Sequence, residues 1–131
     1  MSASTAVVCD ASVLAALVYG EPRSPEAAAL LRGRRLLAPQ LLRYEMAHVA
    51  VRKMAAVGCD AGSVAQAFAA GLRLRVRLIE PSWLAVVQLA REHALSAYDA
   101  AYLQPALALR VPVASFDERL SEAAEALGLR A

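Results

Sequence analysis

The sequence is poor in aromatic residues, glycine, proline and cysteine, and each shortage excludes a class of protein. Aromatic residues make up 5% of the 131 residues, which argues against a sheet that binds RNA by stacking bases on exposed rings. With 6 glycines, 6 prolines and 59% hydrophobic residues, the chain is neither collagen-like nor intrinsically disordered. The two cysteines, Cys9 and Cys59, form no metal-binding pair, and we expect both to be reduced and packed.

Long apolar stretches are also missing, although the mean hydropathy is +0.43. Arginine or glutamate interrupts every apolar run before the roughly 20 residues that a membrane-spanning helix needs. The first residues lack the basic start of a signal peptide and reach Asp10 early. The sequence therefore predicts a cytoplasmic protein without a membrane segment, built as a single domain over residues 1–131.

Short apolar runs alternate with longer helical patterns along the chain. Strands are predicted at 6–9, 36–38, 76–79 and 111–115. Helices are predicted at 11–19, 25–31 (with Ser24 as N-cap), 39–57, 60–74, 81–94, 96–109 (with a kink at Pro105) and 117–127. Because strands separated by helices pair in parallel, we expect an α/β fold, a three-layer α/β/α sandwich around a short, mainly parallel sheet.

Two of the four aspartates follow predicted strands. Asp10 comes directly after the first strand, and Asp117 follows the last one. Ligands of open α/β sheets bind outside the carboxyl ends of the strands, so these two carboxylates are candidates to converge. Each one also precedes a helix, and taken singly a helix N-cap is the better explanation for either. One residue can serve both purposes.

Glu45 and Asp99 lie where a carboxylate is harder to explain. On its predicted helix Glu45 has Leu41 and Val49 one turn away on either side, which places a charge on the apolar face. The alternatives are an ion pair with Arg43 or Arg52, or a helix turned so that Glu45 lies at the edge of the apolar stripe. Asp99 has apolar neighbours at i+3 and i+4, and its alternative is a capping box with Ser96.

Together these four acids indicate a metal site more strongly than any one of them does. Two carboxylates at strand ends and two on inward helix faces suit a hard divalent cation such as Mg²⁺ or Mn²⁺. Without a cation, four adjacent carboxylates would repel and raise one another's pKa values.

Four segments of the sequence resemble those of PIN-domain ribonucleases. They occur in the same order and at similar spacing, and they span nearly the whole chain: VVCDASV at 7–13, LRYE at 42–45, AYDAAYL at 97–103 and ASFDERL at 114–120. The VapC-like toxins of toxin–antitoxin pairs are the most similar subgroup. Each segment alone is short, whereas the ordered set is specific.

The resemblance implies both a set of site residues and an activity. The metal-binding acids would be Asp10, Glu45, Asp99 and Asp117, while Ser115 matches a polar position of the family's site and Ser12 a hydroxyl position after the first aspartate. The implied activity is a Mg²⁺- or Mn²⁺-dependent endoribonuclease that leaves 5′-phosphate and 3′-hydroxyl ends and is blocked by a cognate antitoxin. We also expect a homodimer, because the chain is so apolar.

The sequence departs from the family pattern at two places. Gln104-Pro105 interrupts a stretch that the family fills with small helix-forming residues. The family's final edge strand is expected to be very short or missing, because few residues follow Gly128.

Other features favour ordinary explanations. The arginine clusters at 32–35 and 73–77 are more simply solvated surface than phosphate sites. His48 follows Glu45 by one turn of the predicted helix, and a lone histidine is more often structural. Trp83 and the tyrosines, Tyr44, Tyr98 and Tyr102, are interpreted as core or interface residues.

Two other functions remain open. A phosphoaspartyl phosphatase also carries an aspartate after its first strand, but that class needs a second aspartate two residues later, where this chain has Ser12. The non-enzymatic alternative is a PIN-like domain that binds RNA or a protein without cleaving. The complete set of four acids counts against it.

Overall fold

The computed structural model describes residues 5–131, and within them four strands alternate with seven helices. The strands are β1 (Ala6–Cys9), β2 (Arg35–Ala38), β3 (Val76–Leu78) and β4 (Val113–Ala114). The helices are α1 (Ala11–Val18), α2 (Ser24–Leu31), α3 (Leu41–Met54), α4 (Ala61–Leu72), α5 (Trp83–His93), α6 (Ala97–Leu109) and α7 (Glu118–Ala126). No helix in this part of the chain has the length and apolarity needed to cross a bilayer.

The strands form one parallel sheet in the order β3-β2-β1-β4. Helices α1 to α4 pack together as one group, and α5 to α7 form a second group against β1 and β4. The predicted three-layer sandwich is therefore confirmed. On one side of β1 lie β2 and then β3, whereas β4 pairs with the other side of β1. The topological switch point thus lies between β1 and β4, where an open α/β sheet presents its ligand crevice.

Burial explains why these segments form the sheet. All four residues of β1 are buried, as expected for a strand covered by helices on both faces. The central helix α6 supplies further core, with Tyr102 and Leu103 fully buried. As predicted, this helix contains Pro105 and continues beyond it to Leu109. The side chain of Gln104 accepts a hydrogen bond from the backbone N–H of Ser82 (2.9 Å) and so ties the start of α5 to α6.

Several predicted boundaries are wrong for local reasons. Helix α2 includes Ser24, and its N-cap is Arg23, whose side chain makes no capping bond. Helix α3 begins at Leu41 because the backbone at Pro39 and Gln40 still forms a turn, with Leu42 N–H bonded to the Pro39 carbonyl (3.0 Å). Strand β4 has only two residues, and beyond it Arg130 makes a single parallel bridge to Val113. The final edge strand is as short as predicted.

The core makes a direct prediction about stability. Leu103→Ala should lower the free energy of unfolding by about 2–5 kcal/mol, because the side chain is fully buried and its removal leaves a cavity. Leu109→Ala in the same helix should change it by less than about 0.5 kcal/mol, because that leucine is 52% exposed. Urea denaturation of both variants measures the contrast, and equal losses would contradict this description of the core.

Candidate functional site

Asp10 lies at the carboxyl end of β1 and is only 5% exposed to solvent. It is the N-cap of α1, with Oδ1 accepting hydrogen bonds from the Val13 N–H (3.2 Å) and the Ser12 hydroxyl (2.6 Å). Its other oxygen, Oδ2, accepts from the hydroxyl of Ser115, which follows β4. The capping explanation is therefore confirmed for Asp10. Its second oxygen, however, is hydrogen-bonded to Ser115, a residue 105 positions away in the sequence.

Two serines join the first turn of α1 to the segment that follows β4. Ser12 accepts a hydrogen bond from the Phe116 N–H (2.8 Å) while donating to Asp10. Ser115 accepts one from the Asp117 N–H (2.9 Å) while donating to the same carboxylate. Each hydroxyl thus acts as both donor and acceptor between the two strand ends, which fixes the position of Asp117 relative to Asp10.

Asp117 is exposed and caps α7, accepting from the Leu120 N–H (2.9 Å) through Oδ1. The structure therefore confirms the cap explanation for this aspartate as well. The carboxylate is oriented by the helix that it starts and lies at the same sheet edge as Asp10.

Glu45 is half-buried at the edge of the α3 stripe formed by Leu42, Met46 and Ala50. Its Oε1 accepts a hydrogen bond from the hydroxyl of Tyr102 on α6. The expected alternative of an ion pair with Arg43 or Arg52 is wrong, since none of the ion pairs within residues 5–131 includes Glu45. The other alternative, a place at the stripe's edge, is confirmed.

Asp99 is in the first turn of α6, where Ser96 is the N-cap and accepts from the Asp99 N–H (3.0 Å). The carboxylate also interacts with the Ser96 side chain, so the local capping explanation accounts for part of its environment. Asp99 precedes Tyr102 by three residues, which places both on one face of α6. That face is directed toward Glu45, the partner of Tyr102.

The charges of Asp10 and Asp99 reach Glu45, and those of Asp117 and Asp10 reach Asp99. Burial raises the pKa of Asp10 despite its hydrogen bonds to Ser115 and Ser12. Burial also raises the pKa of Glu45, and the charges of Asp10 and Asp99 raise it further. The pKa of Asp99 is raised first by burial, then by the charges of Asp117 and Asp10. This pattern of mutual repulsion is what the sequence predicts for carboxylates that share a site without a cation.

The donors suit a hard divalent cation, although they are not arranged as a finished coordination shell. Within residues 5–131, no three His, Cys, Asp or Glu side chains are close enough together to hold an ion as they stand. All four candidate ligands offer carboxylate oxygen, the donor that Mg²⁺ and Mn²⁺ prefer. None of them is in an ion pair within the described chain, and the charge of Arg119 lowers the pKa of Asp99 less than burial and the neighbouring acids raise it.

Tyr102 is the residue at this site that the sequence analysis missed. It was interpreted as core or interface, and it is indeed 1% exposed, yet its hydroxyl orients Glu45. Burial and the neighbouring Glu45 raise the pKa of Tyr102 far above its usual range, so the phenol remains a donor. The available signal was its spacing of one helical turn from Asp99, which aligns the two side chains.

Of the four acids, Glu45 lines an open groove on the α3 side. Its walls carry Tyr44, His48 and Arg52 from α3 and Tyr98 from the start of α6, with Glu45 between them. Tyr44 is 69% exposed and Tyr98 66%, so neither ring belongs to the core, and the alternative of an interface stays a prediction. His48 lies at the site, as its spacing from Glu45 allowed. The groove therefore joins aromatic faces and positive charge to the acidic cluster.

Comparisons with known proteins agree with this architecture. A family model for the PIN domain matches residues 7–126. Among solved structures, the chain is similar to PAE2754 from Pyrobaculum aerophilum, with a TM-score of 0.72 and 23% sequence identity. The match covers 90% of this chain and 78% of that one, and at this identity it shows the fold alone. A search of curated proteins finds no match.

The raised pKa values predict how stability depends on pH in the absence of metal. Asp10, Glu45 and Asp99 bind protons more tightly in the folded state, so their contribution to the free energy of unfolding falls as pH rises through the raised values. In EDTA the protein should be more stable at about pH 5.5 than at about pH 8. Urea denaturation at the two pH values measures the difference.

Asp60→Asn provides the matched control for this measurement. Asp60 is a fully exposed cap whose pKa is lowered by hydrogen bonds to Ser63 and Gly62, so its contribution changes only in stronger acid. The Asn variant should keep the difference between the two pH values, whereas Asp10→Asn should reduce it. Equal stability of the wild type at both pH values would contradict the mutual repulsion described here.

Proposed function

The chain belongs to the PIN-domain family, and from that premise we propose that it is a Mg²⁺- or Mn²⁺-dependent endoribonuclease, the toxin of a VapC-like toxin–antitoxin pair. PIN domains are generally nucleases that use divalent metal ions. The proposal adds three things to this: RNA as the substrate, the identity of the acids that bind the metal, and control by a partner protein.

The observation that carries the proposal is the clustering of carboxylates at the switch point of the sheet, where none of the ion pairs of residues 5–131 includes them. Asp10, Glu45, Asp99 and Asp117 come from four separate segments of the chain, and three of them have pKa values raised by burial and, for two, by one another's charge. A purely structural role would not require this repulsion. Binding a divalent cation relieves it.

In the proposed site, the four acids hold the metal and the neighbouring residues hold the acids. A bound divalent cation supplies an activated water and neutralises charge on the scissile phosphate. Ser12 and Ser115 fix both oxygens of Asp10, while the hydroxyl of Tyr102 fixes Glu45. Such outer hydrogen bonds orient ligands and raise metal affinity.

The reaction is hydrolysis of one phosphodiester bond. The water oxygen forms a bond to phosphorus in line with the departing 3′-oxygen, and the bond from phosphorus to that oxygen breaks. The carboxylate of Asp99 or Asp117 accepts a hydrogen bond from the attacking water and orients it, and the water releases one proton to solvent. The 3′-oxygen takes up a proton from solvent as it leaves, which gives a 3′-hydroxyl and a 5′-phosphate.

The groove beside the acids supports RNA as the substrate. Arg52 and His48 are placed to contact phosphates, and the exposed rings of Tyr44 and Tyr98 offer faces on which unpaired bases stack. Single-stranded segments or loops of a folded RNA fit such a groove, because their bases are free to leave the stack.

The first test replaces one acid without changing its size. Asp10→Asn, and separately Asp99→Asn, should abolish cleavage of RNA in Mg²⁺ or Mn²⁺, because each removes a charged oxygen ligand but almost no volume. EDTA should have the same effect on the wild type. Cleavage of tRNA and rRNA followed on denaturing gels measures the loss, and circular dichroism checks that the fold is intact.

The control for this test is again Asp60→Asn, which removes an aspartate from another helix N-cap. It should cleave at the wild-type rate. If Asp10→Asn cleaves as fast as the wild type in excess Mg²⁺, the assignment of the site is wrong. If no variant and no wild-type preparation cleaves RNA, a non-catalytic binding domain becomes the better explanation.

We also propose that the protein forms a homodimer and binds an antitoxin segment. Apolar side chains lie exposed on α5, where Trp83 is 60%, Leu84 76% and Val87 61% accessible. A second apolar surface is the cleft between α3 and α4, which Met46 and Phe68 help to line. We place the dimer contact on α5 and the antitoxin segment in the cleft.

Sedimentation at tens of micromolar tests these partners. The wild type should sediment as a dimer, and its mass should rise when antitoxin is added. Val87→Asp should give a monomer, whereas Val51→Asp on α3, where the valine is 62% exposed, should leave the dimer intact. A monomeric wild type whose mass does not change with antitoxin would contradict both parts of the proposal.

A further inference from the structure

A cluster of arginines lies at the end of the sheet opposite the four acids. It forms because β2 and β3 pair in parallel with Leu36 opposite Val76, which brings the arginines on either side of Val76 next to those that precede Leu36. Apolar residues of the two strands line a concave surface there together with four arginines: Arg34, Arg35, Arg75 and Arg77. We call this surface the arginine patch.

The patch carries positive charge that the described chain does not neutralise. All four guanidinium side chains are exposed, and the ion pairs within residues 5–131 involve Arg23, Lys53 and Arg130 instead. The sequence has no acidic residue between Glu26 and Glu45 or between Asp60 and Glu80. Like charges on neighbouring strands are destabilising, so the arrangement favours an anionic ligand.

The position of the patch separates it from the catalytic groove. Asp10 follows the carboxyl end of β1, whereas Arg35 begins β2 and pairs with Ala6 at the amino end of β1. Four strand residues span about 13 Å, so a few nucleotides bound at the acids do not cover both surfaces. A long or folded RNA is large enough to contact both the acids and the arginine patch.

We propose that the arginine patch binds the phosphate backbone of a folded RNA whose cleaved segment lies at the acids. Arginine suits this role because its planar fork binds phosphate oxygens in pairs. The inference rests on the proposed ribonuclease function and deepens it: the substrate is a structured RNA held at two places. The solvated-surface interpretation favoured by sequence alone does not account for two segments that meet in one concave, unpaired cluster.

The test measures RNA binding separately from cleavage. In the Asp10→Asn background, which removes cleavage, the Arg75→Gln/Arg77→Gln variant should bind tRNA more weakly. The slope of log affinity against log salt concentration should also fall in magnitude, by about 1–2, because binding through fewer phosphate contacts releases fewer counterions. With Asp10 intact, cleavage of a short single-stranded oligonucleotide should be unchanged, because neither arginine lies at the acids.

The matched control is Arg91→Gln/Arg110→Gln, which removes two exposed arginines outside the patch. It should leave the salt slope unchanged. A patch variant with the wild-type slope for tRNA overturns the inference, even if the enzyme cleaves RNA. A reduced slope supports the inference, even if the wild type does not cleave, in which case the proposed function fails alone. Loss of antitoxin binding with RNA binding intact assigns the patch to a protein partner and also overturns it.

Discussion

The buried carboxylate of Asp10 is the constraint on which the rest of the site depends. A carboxylate at 5% exposure is costly unless its oxygens are satisfied, and no basic side chain in the described chain pairs with it. Three hydrogen bonds, from Ser12, Val13 and Ser115, do so instead. Because these donors come from the first turn of α1 and from the segment after β4, satisfying one charge also joins the two strand ends at the switch point.

The other acids extend this arrangement onto rigid helices. Asp99 and Asp117 lie in the first turn or at the cap of α6 and α7, and Glu45 is held by a phenol on α6. The carboxylates of the cluster repel one another, and burial strengthens this repulsion. The repulsion lowers the stability of the fold where a ligand is to bind, and the apolar core around β1 and α6 compensates for it.

The sequence predicts the parts of this protein that follow from local chemistry. The four strands and the parallel sheet follow from short apolar runs separated by helical patterns, and Asp10 and Asp117 follow the first and the last of these runs. The start of α3 was less predictable, because the turn at Pro39 and Gln40 delays this helix to Leu41. Helix α6, by contrast, runs through Pro105 to Leu109 as predicted.

Side-chain partners between distant segments were the hardest to predict. The bond from Tyr102 to Glu45 joins residues 57 positions apart, and apolar periodicity on α6 assigns the tyrosine to the core. The exposure of Tyr44 and Tyr98 depends on how α3 and α6 are turned in the fold. The arginine patch likewise requires the pairing of β2 with β3, which no short segment of sequence contains.

The central claim is that four carboxylates from separate segments form one site for a divalent cation. Anomalous diffraction from crystals soaked in Mn²⁺ tests it most directly, because manganese is located without reference to the protein coordinates. The account predicts a strong peak enclosed by Asp10, Glu45, Asp99 and Asp117, with the carboxylates drawn inward around it. Anomalous density at other acidic residues and none at these four would contradict it.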